Sequence, residues 1–484
     1  MAQDRGEECV PLGLASALAP VAALVVLVAL SFYLFGDAGA AGPSQIAIVC
    51  AALVGVLVGR RHGHSLEVLR DAAVRSVSSG ISAIFILFAV GSLIGTWAMS
   101  GTLVAMVYYG LEILSPNYFY MTSCLLCGLV AATIGSSWTV IGTLGIGLVG
   151  IAQQMELSPA VTAGAVVSGA YFGDKTSPLS DSVNLAAAAT GANLYEHIRE
   201  TLWTSLPTLA LALLLFATLG APGDFDATDE LAAIARSFAI TPFLFLPLAL
   251  VFVLAMLKWP PFTTIFLGAL AGGLLAVVVA PERVAALAAD PSLPFPLALV
   301  KGVWLALATG YVSATGEPEL DQLLTRGGMA SMLGTIWLII AALAFGGVVE
   351  KIGVLERLIS PLVRAIRSTG ALVAAVVGTV VGTNIVAADQ YIAIVLPGRM
   401  FQRAFAERGY APVVLSRAIG DTGTVTSAII PWNSCGAFVA ATLGVPTLKL
   451  APFAFFSLLS PLVTIAFAVL GFRMIRAGEA QKRS

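Results

Sequence analysis

The sequence predicts an all-α, polytopic membrane protein whose central helices are broken or re-entrant. Three observations carry this. Of 484 residues, 58% are hydrophobic and 11% charged, with a mean hydropathy of +0.95, whereas a soluble domain carries about 25% charged residues. Apolar runs near the length of a bilayer core, about 20 residues, recur along the chain. Polar segments bearing prolines interrupt the shorter apolar pieces in both halves. Such a chain cannot cover itself with polar surface in water, and lipid removes that need. The net charge of −2 leaves no basic field for nucleic acid.

Full-length candidate spans are 12–35, 44–59, 80–100, 118–135, 202–220, 242–258, 261–280, 331–349, 370–387 and 448–472. Shorter apolar pieces lie at 103–115, 138–155, 159–173, 184–192, 297–312, 389–401, 410–419 and 425–445. Together they predict roughly 10 to 13 helices. The expected layout is a tail at 1–11, a first membrane half at 12–220, an acidic linker at 221–241, a second half at 242–472 and a basic tail at 473–484.

The N-terminus carries Asp4, Glu7 and Glu8 against Arg5. It lacks the basic start of a cleaved signal peptide, so 12–35 reads as a retained span. Basic residues favour the cytoplasmic side. Four groups bear on this: Arg60, Arg61, Arg70 and Arg75; Lys351, Arg357, Arg364 and Arg367; Arg399, Arg403 and Arg408; and Arg473, Arg476, Lys482 and Arg483. Placing them inside puts both termini in the cytoplasm. The loop 36–43 and the linker with Asp224, Asp226, Asp229 and Glu230 then face outside.

Several features carry no chemistry. Cys124 and Cys127 form a CxxC without a second pair, so no zinc site results. The other cysteines, Cys9, Cys50 and Cys435, are scattered, and His62, His64 and His197 sit near segment ends. Gly145, Gly147 and Gly150 match a dinucleotide fingerprint, but inside an apolar helical run rather than a strand-turn-helix.

The informative region is Gly173-Asp174-Lys175-Thr176-Ser177-Pro178-Leu179-Ser180-Asp181-Ser182-Val183-Asn184. Pro178 breaks a helix near it. A break frees backbone groups that lipid cannot satisfy, so the segment must line protein or water. Ionisable residues at that depth mark a functional site. The second half answers weakly. Ala131-x-x-x-Gly135-Ser136-Ser137 resembles Gly378-x-x-x-Gly382-Thr383-Asn384, and Gly173-Asp174 and Gly420-Asp421 follow at the same interval. Matching interruptions in two halves point to a central binding site. Small-xxx-small spacing alone would serve packing, but packing does not explain the aspartates.

The residue types suit a hard monovalent cation, which prefers oxygen. Ser136, Ser137, Asp174, Thr176, Ser177, Ser180, Asp181 and Asn184 supply it from the first half. Thr383, Asn384, Asp389, Asp421, Thr422, Thr424, Thr426 and Asn433 supply it from the second. Asp174, Asp181 and Asp421 are the expected carboxylate ligands of the cation. Burial disfavours a charged carboxylate and a bound cation favours it, so Na+ and H+ would compete there. Lys175 has no counterpart, since Thr422 follows Asp421. It is expected to pair with an aspartate, or else to hold an anion. Glu112 is expected at an interface, and Trp138, Trp432 and Tyr171 either gate the cavity or anchor the chain at interfaces.

The run 173–186, together with Asn384 to Pro397, Asp421 to Ser427 and Pro431 to Gly436, resembles the NhaC-type Na+/H+ antiporters over roughly 40–470. Ser182-Val183 and Ser434 stand where threonines are common in that family. The resemblance implies two inverted-topology halves, alternating access about a midplane site, an inner-membrane location and exchange of Na+ for H+. It implies no cofactor. Na+ and H+ are the cargo, lipid is the surrounding partner, and a homodimer is the candidate oligomer. Some similar proteins couple Na+ and H+ to malate and lactate exchange, which would give Lys175, with Arg417, a small carboxylate to bind. An intramembrane aspartyl protease is disfavoured, because Tyr171 and Ala418 replace the first glycine of its Gly-x-Gly-Asp. A passive channel suits paired, closed interruptions less well than alternating access does.

Overall fold

The computed structural model describes residues 12–36, 39, 42–220, 228–366 and 368–477. The tail 1–11, linker residues Asp224 and Asp226, the side chains of Asp229, Glu230 and Arg364, all of Arg367, and the end 478–484 lie outside the described residues. The described chain is helical, with two isolated bridges, Tyr311 to Arg326 and Tyr410 to Arg476.

Among the described residues, eight helices are long and apolar enough to cross a membrane: Leu14–Phe35, Pro43–Arg61, Ile81–Ser100, Pro116–Ile134, Leu194–Thr218, Pro261–Val279, Met329–Lys351 and Thr369–Val386. A ninth is possible if Ser434–Leu443 and Thr447–Phe453, bent by 90°, count as one. Three expectations change. The candidate 242–258 is a shorter helix, Leu246–Met256, after the turn Pro242–Phe245. The run 448–472 is not one span; a short helix Thr447–Leu450 gives way to Phe455–Val469. The linker 221–241 contains the helix Thr228–Ser237.

Local chemistry sets the helix starts. Ser158 caps Pro159–Thr176, accepting from Val161 N at 3.4 Å. Asn193 caps Leu194–Thr218 through Tyr195 N and Glu196 N, and this cap starts the helix eight residues before the apolar run at 202. Such caps satisfy donors that have no partner within the helix.

The breaks cluster. Phe119–Ile134 ends at Gly135, whose φ of +77° is the left-handed position glycine favours. A Cβ there would lie 2.6 Å from Leu179 Cβ and 2.9 Å from Ser180 N, so the 134–137 break packs directly on the 177–181 break. Pro159–Thr176 ends two residues before Pro178, with Ser177 extended at ψ 132°, as a residue preceding proline requires. The same two helices meet through Gly128 and Gly169. In the second half Thr369–Val386 stops before Gln390–Ala406, and Pro412–Ile419 runs through a wide turn, Gly420–Thr424, to a break at 430–433. Four helix N-termini, at Ser137, Asp181, Gln390 and Ser434, thus start beside breaks inside the protein.

Candidate functional site

A cavity of about 540 Å³ opens at the first-half breaks. Ser136, Ser137, Asp174, Asp181 and Ser182 line one side, and Asp389, Gln390, Tyr391, Ser434 and Cys435 the other. Lys258 and Trp259 form its exposed rim, with Gly80 and Ser79 beside them.

Asp174 is the cavity's anchored carboxylate. Its Oδ2 accepts from Ser137 Oγ at 2.6 Å and Ser137 N at 3.4 Å, and its Oδ1 accepts from the Ser180 hydroxyl. Ser180 and Ser182 hydroxyls share a bond of 3.0 Å. The two helix breaks are therefore joined through one buried aspartate. Each hydroxyl has two lone pairs besides its proton, so the donors to Asp174 can also turn oxygen toward a hard cation. Helix N-termini carry positive partial charge, and those starting at Ser137 and Asp181 help hold the ionised carboxylate.

Asp181 differs. It is exposed, at the first position of Asp181–Thr190, and lines the cavity wall. Asp389 is buried at 6% exposure and caps Gln390–Ala406, accepting from Ile392 N at 2.9 Å. Before it, Ala388 takes φ +56°, a region that costs a non-glycine residue about 1–2 kcal/mol. Ser434 N donates to Ala388 O at 3.0 Å and helps hold that conformation. Asp389, next along the chain, lines the cavity. Behind it, Gln390 Oε1 accepts from Ser427 Oγ and Cys435 Sγ, contacts that spacing alone did not signal.

Asp421 does not line this cavity. Its Oδ1 accepts from Lys175 Nζ at 2.6 Å and Thr204 Oγ1 at 3.1 Å, and its Oδ2 from the Thr464 hydroxyl. Lys175 Nζ also donates to Ser460 Oγ at 2.8 Å and lies 5.1 Å from the Phe456 ring centroid. Lys175 is 1% and Asp421 0% exposed. The lysine thus forms an ion pair between the halves rather than facing the cavity as an anion site. Asp174 and Lys175 leave the same last helical turn in opposite directions. The three aspartates expected to share a cation do not converge; Asp421 stands apart. Among the described residues no three His, Cys, Asp or Glu gather as a metal site.

The remaining candidates hold the breaks together. Asn384 Nδ2 donates to Gly423 O and Thr426 Oγ1, while Asn433 Nδ2 donates to Asn384 O and Oδ1. Asn433 Oδ1 caps the following helix through Cys435 N. Thr383 and Thr426 hydroxyls donate to Thr379 O and Thr422 O within their own helices, and Thr424 supplies its carbonyl to Ser427. Thr176 donates to Phe172 O, Ser177 accepts from Leu179 N, and Asn184 donates to Pro178 O and Ser180 O. Trp138 lines the cavity stacked on Phe438, Trp432 donates to Ile385 O in the break, and Tyr171 is fully buried.

The sequence reading missed one group. His197, Glu200, Thr201, Thr204, Ser205 and Thr208 lie on one face of Leu194–Thr218, and all are buried. The signal was present as a polar repeat at helical spacing, but it lay at the start of an apolar run.

The sequence profile described as the Na+/H+ antiporter family matches residues 169–472. The chain is 37% identical over 431 residues to the Na(+)/H(+) antiporter NhaC of Alkalihalophilus pseudofirmus, covering 88% of this chain and 90% of that one. It is 32% identical over 451 residues to the malate-2H(+)/Na(+)-lactate antiporter of Bacillus subtilis, covering 91% and 92%. It is 33% identical over 469 residues to the arginine/ornithine antiporter ArcD of Halobacterium salinarum, covering 95% and 92%.

Proposed function

Because the chain belongs to the Na+/H+ antiporter family, in its NhaC-type branch, and is a membrane transporter rather than an enzyme, we propose that it exchanges Na+ for H+ by alternating access, with both ions competing for Asp174. One observation carries this reading. Asp174 is 7% exposed, faces a cavity, and has both carboxylate oxygens held by hydroxyls from two helix breaks. Burial disfavours the charged carboxylate and a bound cation restores it, so the group holds Na+ or H+ but not both. Asp389 and Asp181 add negative potential along the wall.

The cavity rim supports a direction for it. Gly80 starts Ile81–Ser100, and Lys258 precedes Pro261–Val279; these two helices pack side by side. The Arg60–Arg75 segment leads into Gly80. With those arginines in the cytoplasm, the cavity is inward-open. The test uses proteoliposomes with an imposed Na+ gradient and an internal pH dye. Wild type should move protons against Na+, and Asp174→Asn should not. Full exchange in Asp174→Asn removes the assignment.

A second reading is favoured by the cavity's size. About 540 Å³ falls in the range of small-molecule sites, about 300–1,000 Å³, and relatives include proteins named for carboxylate and amino-acid exchange. Lys175 and Arg417 do not line the cavity, so Lys258 would hold an organic anion. Malate, lactate or arginine that leaves Na+ flux unchanged excludes an organic co-substrate.

A further inference from the structure

Leu194–Thr218 is a membrane-length helix with an unusual interior. Its lipid-side residues are apolar and exposed, with Leu206, Leu211 and Leu214 at 54%, 47% and 65%. Its inner face carries the buried polar row from His197 to Thr208. A hydrocarbon interior does not tolerate such groups without partners. Thr204 has one, since it bonds Asp421. Several others have none among the described residues: His197 Nε2, Thr201 Oγ1, Ser205 Oγ and the facing Ser457 Oγ. Unpartnered buried polar atoms usually bind water.

The row has two ends. The inner end is the Lys175–Asp421 pair, with Ser460 and Thr464 completing its shell from Phe455–Val469. His197 adjoins it: its Nε2 side faces Gly420, where an added Cβ would meet Cε1 at 3.1 Å and Nε2 at 3.5 Å. Nδ1 of the same ring shares a 2.7 Å hydrogen bond with Ser416 Oγ. The outer end is Glu200, itself 1% exposed. Arg473 Nε lies 3.4 Å, Arg199 Nε 3.9 Å and Arg417 Nη1 4.0 Å from its carboxylate. Arg473 and Arg199 reach solvent, with side chains 22% and 52% exposed. None of these residues lines the cavity around Asp174.

We propose that this seam is a proton route, separate from the cation cavity, in which Glu200 and His197 pass protons between the basic end of the molecule and the Lys175–Asp421 pair. It rests on the antiport reading: Na+ reaches Asp174 through the cavity, and the seam supplies the proton side of that competition by way of the Lys175–Asp421 pair, whose lysine adjoins Asp174 in the chain. A proton taken from water by the Glu200 carboxylate moves to the free ring nitrogen of His197. From there it passes by way of the Thr201 and Ser205 hydroxyls to the Asp421 carboxylate, which accepts it and loosens its hold on Lys175. A proton loaded onto Asp421 in the opposite state leaves by the same transfers in reverse, so no other reactant is needed. Cation entry uses the wide cavity, while the seam admits only protons, because its groups are packed between helices. Thr204 positions Asp421 and is not itself a carrier.

The test separates two fluxes in proteoliposomes. Na+-driven proton movement needs both entrances. Exchange of radiolabelled Na+ for Na+ at equal pH needs only the cavity. Glu200→Gln and His197→Gln should each slow the proton-coupled flux about 10-fold or more, as loss of a proton-transfer group does, and leave Na+–Na+ exchange unchanged. Both fluxes falling together, or neither changing, overturns the proposal. Glu200→Gln is nearly isosteric, so it decides the matter if the histidine variant fails to assemble. Wild type that exchanges Na+ for H+ with unaltered variants sinks only the seam, and wild type with neither flux sinks the antiport reading as well.

Discussion

Two Gly-Asp pairs look alike in sequence and meet opposite fates. Asp174 faces a cavity and is held by hydroxyls of serines on two helix breaks. Asp421 is sealed between helices and held by a lysine and two threonines. The difference comes from the residue that follows. Lys175 leaves the first pair and neutralises the second. An open carboxylate can exchange partners. A buried ion pair is costly to break, because removing one member strands the other charge. The first site is therefore fitted to bind and release, and the second to hold the two halves together or to move a proton without admitting a cation.

The largest effect should come from stranding that charge. Asp421→Asn leaves Lys175 unpaired and should cost about 3–5 kcal/mol of stability, read as a lowered melting temperature in detergent. Lys175→Met combined with Asp421→Asn should recover most of the loss. An unchanged melting temperature in the single variant would mean that the pair is not sealed. Asp174→Asn should behave in the opposite way, folding normally but failing to bind. Losing a unit charge about 4 Å from a cation at an effective dielectric constant near 20 removes about 4 kcal/mol, or nearly three decades of Na+ affinity. Na+-dependent thermal stabilisation measures this directly, and an equal shift in wild type and variant would place Na+ elsewhere.

Asp389 tests the far wall of the cavity. Asn is as good a helix cap as Asp, so Asp389→Asn should leave stability unchanged. It should weaken Na+ affinity about 10-fold, as loss of roughly 1.4 kcal/mol of attraction does. A drop in stability without a change in affinity would make Asp389 only a cap.

Much of this arrangement could be read from the chain, and the exceptions have physical reasons. The contact of Asp174 with Ser180 lies within one helix break, so Pro178 and the hydroxyl spacing announced it. The matched interval between motifs set Ser137 and Asp174 in one site, though not in the direct hydrogen bond they make. The fate of Asp421 could not be read the same way. A repeated motif gives equivalent chain positions, but not the direction in which each side chain leaves its helix. The Lys175 pair joins residues 246 apart in sequence, with no local signal beyond the missing counterpart of Lys175. The row from His197 to Thr208 was overlooked for another reason. Averaged hydropathy is dominated by the leucines of 206–215, and it hides a polar face repeating every three or four residues. The run 448–472 failed in the reverse sense, since composition alone cannot reveal the break between Leu450 and Phe455.

The smallest effect should distinguish open from sealed most cleanly. Lys258 is the rim's exposed cation, set above Asp174, Asp181 and Asp389 on one cavity. Among the described residues it makes no hydrogen bond or ion pair with any of them, so its influence on an entering Na+ is through space. Lys258→Gln should therefore raise Na+ affinity about 2- to 3-fold at low ionic strength, where the screening length is about 30 Å, and change nothing at about 1 M salt, where it is about 3 Å. The Lys175–Asp421 pair is shielded from counter-ions, so the stability loss in Asp421→Asn should be the same at both salt concentrations. A salt-independent effect at Lys258, or a salt-dependent one at Asp421, would reverse the assignment of which aspartate is open to solution.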